Sequence, residues 1–375
     1  MGKPRLPDVE KQELLDLPML LLTLLLTALG LVMIYSSSFA RALYESGDSA
    51  FYFKRQLVFA ALGVGAMLAV SRVRPQLIRK LAFPILGISV LFLVLVFVPG
   101  IGRSENGATR WVCLGISFQP SEVAKLGIIL SFAAMISAFG DKMETFRWGI
   151  APFGAILAVI VVLLRLEPHN SAIVIIVCTA GAMLFLGGVK YRWFILGGSA
   201  MLLGLVLILG AGGYEASRIT AWQDPFSDPT DDGYQIIQSL YAIGSGGLFG
   251  LGLGNGRQKY LYLPEEHNDY IFSIACEELG LAGAVGILIL YSLLILRGYW
   301  ISMHIRDRFL SLTVAGITTL TALQVFFNIG VVTNLLPSTG ISLPFFSYGG
   351  TALLIQLGEM GIILGASRQC SAGFL

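Results

Sequence analysis

Stretches of about 20 consecutive apolar residues recur along the chain, and this feature constrains the fold more than any other. A helix of that length spans the hydrocarbon core of a membrane, and it satisfies its own backbone hydrogen bonds there. The sequence therefore predicts an all-α integral membrane protein built as a ten-transmembrane-helix bundle. The predicted spans are residues 17–36, 54–71, 81–98, 120–138, 149–166, 171–188, 194–211, 269–296, 309–332 and 345–366.

The composition agrees with lipid as the main solvent. Of the 375 residues, 55% are hydrophobic and 13% are charged, whereas soluble domains carry about 25% charged residues. The formal net charge of +2 is too small to indicate nucleic-acid binding. The 4 cysteines and 3 histidines lie in separate segments, so we expect neither a disulfide framework nor a metal site built from them.

The distribution of Lys and Arg predicts the orientation. Most of these 25 residues fall in cytoplasmic segments if the N-terminus is placed inside. We expect one membrane domain over residues 1–375, with a short cytoplasmic N-terminus (1–16), a long outer loop between helices 7 and 8 (about 212–268) and a short cytoplasmic tail (367–375). The first apolar run has no small-residue cleavage site behind it, so we interpret it as a retained span of a cytoplasmic (inner) membrane protein.

Two charged residues lie inside the predicted fourth helix. Glu122 and Lys125 are three positions apart and share a helix face, shortly after Arg110 and Gln119 in the preceding outer loop. Charges in a membrane helix are costly unless they are paired in the protein interior or face a wet cavity. A structural salt bridge and a pair that lines a polar cavity open to the outside are both compatible with this pattern.

The long outer segment contains Arg218 and Gln235, followed by a glycine-rich stretch over residues 244–256. No strand precedes these glycines, so they do not indicate a dinucleotide site. Two interpretations remain open. The stretch is either a flexible re-entrant loop or a backbone cradle for an anionic phosphate group.

A run of acidic residues ends the outer segment, and Asp269 stands where the sequence becomes apolar again. Asp269 is either the N-cap of the next helix or a general base, whose pKa burial would raise and nearby cations would lower. Further along, prolines, glycines and Ser347 interrupt the apolar pattern over residues 336–351. Irregular backbone at membrane depth must be covered by protein or water, so we expect a cavity there.

Together these motifs resemble the SEDS family (FtsW, RodA and SpoVE) over nearly the whole chain. The stretches that carry the resemblance are Arg110-Trp111, Gln119 to Lys125, Gly233-Tyr234-Gln235, Leu263 to Phe272 and Pro337 to Gly350. The chain has Asn268 where many members have Thr. It also has Glu167-Pro168-His169-Asn170 where many have Gln-Pro-Asp, which is similar to the FtsW/SpoVE branch.

The resemblance implies a ten-helix fold and peptidoglycan glycosyl transfer from lipid II at the outer face of the membrane. It implies a class B penicillin-binding protein, a transpeptidase, and divisome-type proteins as partners, in cell division or sporulation. The family's essential aspartate corresponds to Asp269, and its Glu/Lys pair to Glu122 and Lys125. The residues expected to bind substrate are Arg110, Glu122, Lys125, Arg218, Gln235, His267 and Ser347.

The expected chemistry needs positive charge beside the pyrophosphate leaving group. Arg110 is the first choice, because its planar fork suits phosphate, and a divalent cation (Mg²⁺ or Mn²⁺) is an alternative source. We predict no metal-binding residues. Three other functions stay open: a lipid II flippase or transporter, a non-catalytic scaffold, and a RodA-type elongation polymerase. The lack of a visible inverted repeat disfavours a transporter.

Overall fold

A bundle of long helices forms the protein in a computed structural model that describes residues 15–105, 108–113, 115, 117–198, 214–227, 229–230 and 233–370. A single helical turn, Phe146–Gly149, comes directly before the fifth long helix. The helices are α1 (Leu17–Ser46), α2 (Phe51–Val70), α3 (Pro75–Leu95), α4 (Pro120–Phe139), α5 (Ala151–Leu166), α6 (Asn170–Leu186), α7 (described over 191–198), α8 (Tyr214–Gln223), α9 (Tyr234–Ser245), α10 (Ile271–His304), α11 (Arg308–Val332) and α12 (Gly350–Ser367).

The described residues contain 8 helices that are long and apolar enough to cross a membrane, which confirms a multi-pass membrane protein. Helix α6 is equally apolar but has only 17 residues. Most of the predicted seventh span (194–211), residues 1–14 of the predicted N-terminal segment and residues 371–375 of the predicted tail lie outside the described residues. The count of ten spans and the extent of the long loop therefore stay predictions.

Burial patterns divide the helices into lipid-facing and central ones. Helix α2 buries Gln56, Ala60, Gly63 and Met67, which form one stripe at helical spacing, and its other residues are partly or fully exposed. This stripe packs against α12. Helix α11, in contrast, is buried along most of its length, between α4, α6, α10 and α12. An exposed apolar face is stable in lipid, so α2 lies at the periphery and α11 at the centre.

Local sequence signals set the start of α1. Asp16 accepts a hydrogen bond from the backbone N–H of Met19 at 2.9 Å, and Pro18 occupies the first turn, where its missing N–H costs nothing. The same carboxylate forms an ion pair with Arg297 of α10, with its shortest contact at 2.6 Å. Asp16 therefore both starts α1 and ties it to α10.

The connection between α3 and α4 forms a small antiparallel sheet, which the sequence patterns did not predict. Its strands are β1 (Gly102–Glu105), β2 (Ala108–Cys113) and β3 (Ser117–Phe118), in that order. They are at most 6 residues long and lie between strong apolar helices. A short polar hairpin of this kind has no long alternating pattern by which to recognise it. The sheet matters because β2 carries Arg110 to the site described below.

The glycine-rich stretch packs against a break in α10 at Gly280, where φ is 68°. A Cβ at Gly250 would lie 2.1 Å from the carbonyl oxygen of Glu278, so only glycine permits this backbone approach. The N–H groups of Leu251 and Gly252 donate to the carbonyls of Glu277 and Glu278, each at 3.0 Å. These two amides are engaged within the protein, so they are not available to a phosphate, and Gly250 serves close packing. The phosphate-cradle interpretation of the rest of the stretch stays a hypothesis.

The last predicted span begins later than expected. Helix α12 starts at Gly350 and not at residue 345, because the preceding residues form an irregular segment in which Phe345 has a φ of 64°. The backbone N–H of Phe345 donates to Gln356 Oε1 at 3.0 Å, and the Tyr291 hydroxyl donates to the carbonyl of Pro344. Protein side chains thus cover this irregular backbone, as expected at membrane depth.

Candidate functional site

Asp269 lies in the turn that precedes α10. The N-cap of α10 is Tyr270, and no side chain caps this helix. The N-cap interpretation of Asp269 is therefore wrong. The side-chain amide of Asn328, on α11, donates to the backbone carbonyl of Asp269 at 2.7 Å. Asp269 is thus held through its backbone, and its carboxylate is not used to start the helix.

The electrostatic surroundings of Asp269 suit a base. Burial raises the pKa of Asp269 to about 6, and the nearby charge of Glu265 acts in the same direction. Arg110, His267 and Arg218 oppose this rise. The carboxylate is therefore mostly ionised at neutral pH and yet more basic than an ordinary aspartate, as general-base catalysis requires.

The loop around Gly340, within the stretch from Pro337 to Gly350, covers Asp269. A Cβ at Gly340 would lie 3.0 Å from Asp269 Oδ2, so this loop passes directly over the carboxylate. Other parts of the chain hold the loop: Arg218 of α8 donates from Nη1 to the carbonyl of Ser338 at 2.9 Å, and the Ser171 hydroxyl of α6 donates to the carbonyl of Thr339. The irregular segment, α6 and α8 thus meet above Asp269.

Strand β2 brings Arg110 to the same place. The guanidinium donates from Nη2 to the backbone carbonyl of Pro168, at the junction of α5 and α6. Gln119 Nε2 lies 3.3 Å from His169 Nε2 at that junction. Arg110 also acts electrostatically on Asp269. Two of the residues predicted for the site, Arg110 and Asp269, are therefore near enough to interact electrostatically.

His267 is buried between aromatic rings. Its ring centroid lies 4.7 Å from that of Tyr52 and 5.6 Å from that of Tyr348. Its Nδ1 lies 3.7 Å from Glu266, whose carboxylate accepts hydrogen bonds from Arg41 of α1 at 2.7 and 2.8 Å. These contacts hold the turn before α10 against α1 and α2, and they bring a cationic form of His267 within electrostatic reach of Asp269.

The other two predicted binding residues contact backbone groups of the same turns. Gln235 Nε2 of α9 donates to the carbonyl of Pro264 at 3.3 Å. The Ser347 hydroxyl donates to the carbonyl of Asn268 at 2.8 Å and accepts from the N–H of Leu343 at 2.7 Å. Both side chains therefore hold the segments around Asp269, and their binding of substrate stays a prediction.

Glu122 and Lys125 form a buried salt bridge, in which Lys125 Nζ lies 2.8 Å from Glu122 Oε1. The two charges are therefore paired with each other, and whether the pair also lines a cavity that binds substrate stays a prediction. A third charged group, Glu359 of α12, is buried and interacts electrostatically with both members of the pair. The sequence analysis missed Glu359, although a lone carboxylate within an apolar span signals a functional or structural ion cluster.

Glu167 was also missed as a candidate. It lies directly after α5, is only 1% exposed and acts electrostatically with Arg110. Its signal was present as a departure from the family pattern at the α5–α6 junction. The described residues contain no group of three or more His, Cys, Asp or Glu side chains that could hold a metal ion.

Comparisons with known proteins agree with this architecture. Residues 16–372 match the family model for FtsW, RodA and SpoVE, described as "Cell cycle protein". The chain is 42% identical to Stage V sporulation protein E of Bacillus subtilis over 354 residues, which is 94% of this chain and 97% of that protein. It is 40% identical over 363 residues to the "Probable peptidoglycan glycosyltransferase FtsW" of Geobacter sulfurreducens, covering 96% and 97% of the two chains.

Two solved structures are also similar. One is a chain from "Structural coordination of polymerization and crosslinking by a peptidoglycan synthase complex", with a TM-score of 0.81, 28% identity and coverage of 96% of this chain and 99% of that one. The other is the rod shape determining protein RodA of Thermus thermophilus, with a TM-score of 0.69, 28% identity and coverage of 94% and 97%. Since sequence and structure match over nearly the full length, the chain belongs to the FtsW/RodA/SpoVE family.

Proposed function

We propose that the protein is a peptidoglycan glycosyltransferase that polymerises lipid II into glycan strands, with Asp269 as its general base. Relatives that are 40% identical over nearly the whole chain carry the name of this activity. The observation that carries the catalytic assignment is the carboxylate of Asp269, which caps no helix and has a pKa raised to about 6 among cationic groups. The function belongs to cell division or sporulation, in line with the FtsW and SpoVE names of the relatives.

The proposed step is a single displacement at the anomeric carbon of the donor sugar. Asp269 takes the proton from the 4-hydroxyl of the acceptor GlcNAc, and that oxygen forms a bond to C1 of the donor MurNAc. The bond from C1 to the phosphate oxygen breaks, undecaprenyl pyrophosphate leaves and the anomeric centre inverts. A pyrophosphate leaves as an anion, so one carboxylate suffices where hydrolysis of a glycoside needs two.

The leaving pyrophosphate needs positive charge, and we assign this role to two arginines. Arg110 from β2 and Arg218 from α8 both act electrostatically on Asp269, so they lie around the same carboxylate. Guanidinium groups bind phosphate oxygens through two parallel hydrogen bonds. We assign Arg110 the leading role, because β2 and the α5–α6 junction fix its guanidinium through Pro168.

We place this site at the outer face of the cytoplasmic membrane. The turns before α10 and α12 and the β1–β3 sheet lie at one end of the bundle. The connections at the opposite end, such as Arg72 to Arg74 and Lys190 to Arg192, are short and basic. Positive charge is concentrated on the cytoplasmic side of membrane proteins, so both termini are assigned to the cytoplasm. The polyprenyl tails of lipid II then stay in the bilayer beside the lipid-facing helices.

The partner that best fits this arrangement is a class B penicillin-binding protein. A similar solved chain comes from a complex described as coordinating polymerization and crosslinking. Crosslinking of nascent glycan strands is the transpeptidase reaction, and the two activities act on successive states of one polymer at the same membrane face. Divisome-type proteins would complete the assembly in a dividing cell.

The test is polymerisation of purified lipid II by the protein with its candidate transpeptidase. We expect long glycan strands from wild type and none from Asp269→Asn, because the amide cannot accept the proton. The matched control is Asp48→Asn, which makes the same change to a carboxylate at the same end of the bundle that pairs with Lys54 at 2.7 Å. It should polymerise normally, and unfolding curves should show that all three proteins are folded.

Other outcomes would select other functions. Polymer from folded Asp269→Asn would move the base elsewhere, with Glu265, Glu266 or Glu122 as the next candidates. Transfer of lipid II across vesicle membranes without polymer would favour the flippase. If neither glycan polymer nor transfer of lipid II were observed while the transpeptidase is active, that outcome would favour the scaffold.

A further inference from the structure

Glu167 is a buried carboxyl group that the proposed mechanism does not use. It lies one residue after α5 and is 1% exposed. Both of its oxygens are buried, and they make no hydrogen bond within the part of the chain that the structure describes. Ionising such a group without partners is costly, whereas a neutral carboxylic acid loses far less on burial. Burial accordingly raises the pKa of Glu167 to about 8.

The cation that faces Glu167 is Arg110. It opposes the rise in the pKa of Glu167, so the two groups are electrostatically coupled. The same guanidinium donates a hydrogen bond to the carbonyl of Pro168, the next residue along the chain. It also acts electrostatically on Asp269. Arg110 is therefore coupled both to a neutral carboxyl group and to the ionised candidate base.

The remaining titratable group of this junction is His169. Burial and the charges of Arg110 from β2 and Lys125 from α4 lower the pKa of His169 to about 3, so its ring is neutral. Arg165, at the end of α5, donates to Asn170 Oδ1 at 2.7 Å. At neutral pH the junction thus offers Arg110 no negative charge of its own.

We propose that Glu167 is a positioning residue that acts through Arg110: as a neutral acid it leaves the guanidinium directed at the pyrophosphate beside Asp269, and as a carboxylate it draws the guanidinium into a buried ion pair away from that site. The inference rests on the phosphate-binding role assigned to Arg110 in the proposed function. The protonation state of Glu167 then decides whether the α5–α6 junction presents Arg110 with a competing anion.

The physical basis is competition between two anions for one cation. Charges in a low-dielectric interior interact far more strongly than in water, so an ionised Glu167 would compete effectively with a phosphate oxygen. By linkage, a pyrophosphate at Arg110 and a proton on Glu167 favour each other's binding. The affinity for undecaprenyl pyrophosphate should therefore fall as pH rises through the pKa of Glu167.

The experiment measures binding of undecaprenyl pyrophosphate to the full-length protein and, in parallel, lipid II polymerisation with the transpeptidase, between pH 6.5 and 9.5. For wild type we expect affinity to weaken above pH about 8, by up to about tenfold for each pH unit, as loss of one linked proton requires. Glu167→Gln keeps the shape of the side chain without its charge. It should match wild type at pH 7 and keep its affinity up to pH 9.5.

Two further variants sharpen the test. Glu167→Met also removes the charge and should show the same flat profile, which serves if Glu167→Gln folds poorly. Glu45→Gln removes an exposed carboxylate at the same end of the bundle, and it should keep the alkaline loss of wild type. An alkaline loss that persists in folded Glu167→Gln or Glu167→Met would overturn the inference, and so would a wild-type profile that stays flat to pH 9.5.

The outcomes also separate this inference from the proposed function. No polymer from wild type at any pH, with an active transpeptidase present, would reject the function itself. Normal polymer from wild type with an unchanged pH profile in the Glu167 variants would leave the function intact and reject only the role of Glu167.

Discussion

The side-chain amide of Asn328 donates hydrogen bonds to the backbone carbonyls of Asp269 and Ile341, each at 2.7 Å. One side chain on the central helix α11 thus fastens the turn before α10 to the loop before α12. These two segments carry the candidate base and the loop that covers it. Their relative position therefore depends on Asn328, although its amide is not placed in contact with the substrate.

Asn328→Ala should remove both bonds. Each buried carbonyl left without a donor costs about 1–3 kcal/mol, so unfolding should occur at a lower temperature. The maximal rate of glycan synthesis should fall by about 10-fold or more, because small misplacements of catalytic groups are expensive. Thr333→Ala, at the C-cap of the same helix, is the control, since its hydroxyl donates to the carbonyls of Ile329 and Gly330 in the last turn of α11. Wild-type rates from Asn328→Ala would refute the positioning role.

Gly340→Ala should abolish activity with a modest loss of stability. The new Cβ would lie 3.0 Å from Asp269 Oδ2, which is too close unless the carboxylate or the loop moves. Gly47→Ala is the matched control, since Gly47 has a similar φ (71° against 64°) and nothing within 4 Å of its added Cβ. Both changes strain the backbone by roughly 1–2 kcal/mol. If steady-state polymerisation fell equally in both, the contact with Asp269 would not matter.

Glu265→Gln should shift the acidic limb of the pH–rate profile to lower pH. The base must be ionised, so the rate rises with pH through the pKa of Asp269, which is about 6. The negative charge of Glu265 raises that pKa, and its removal therefore lowers it. Initial rates between pH 4.5 and 7.5 would show this shift, with Glu45→Gln unchanged. A limb that moved to higher pH would contradict the assignment of Asp269.

The sequence was sufficient to predict that the chain crosses the membrane several times. Apolar length alone located α1 to α5 and α10 to α12, since lipid permits few other structures. It could not reveal that the glycines near Gly250 pack against the break at Gly280, because that contact joins segments about 30 residues apart through backbone atoms. The break itself lies within an unbroken apolar pattern.

The sequence pointed to the charged residues of the candidate site, and it did not point to the hydrogen bonds that hold them in place. Asp269 and Arg110 carry motif signals in the sequence. Their supports use neutral partners or backbone carbonyls, as with Asn328 and Pro168, and a hydrogen bond to a distant carbonyl leaves no periodic pattern. Glu167 escaped for a different reason: its only sequence signal was a departure from the family pattern, and its burial and its coupling to Arg110 become visible only in the folded chain.

A buried ion pair behind the glycine-rich stretch allows a separate test of stability. Lys259 Nζ lies 2.7 Å from Glu278 Oε1, and both residues are 1% exposed. The Ser36 hydroxyl of α1 donates to the other oxygen of Glu278 at 2.5 Å. The pair thus joins the outer segment, α10 and α1. Removing one partner of such a pair strands a charge in a low-dielectric interior, which costs about 3–5 kcal/mol.

Lys259→Met should therefore lower the unfolding temperature in detergent strongly, because Glu278 is left without its cation. The double variant Lys259→Met with Glu278→Met removes both charges at similar volume, and it should recover most of that loss, since two apolar side chains need no counter-charge. Lys54→Met is the control at an exposed pair with Asp48, where about 0–1 kcal/mol is expected. A double variant as unstable as Lys259→Met alone would show that packing of these side chains, and not the stranded charge of Glu278, sets the stability of this region.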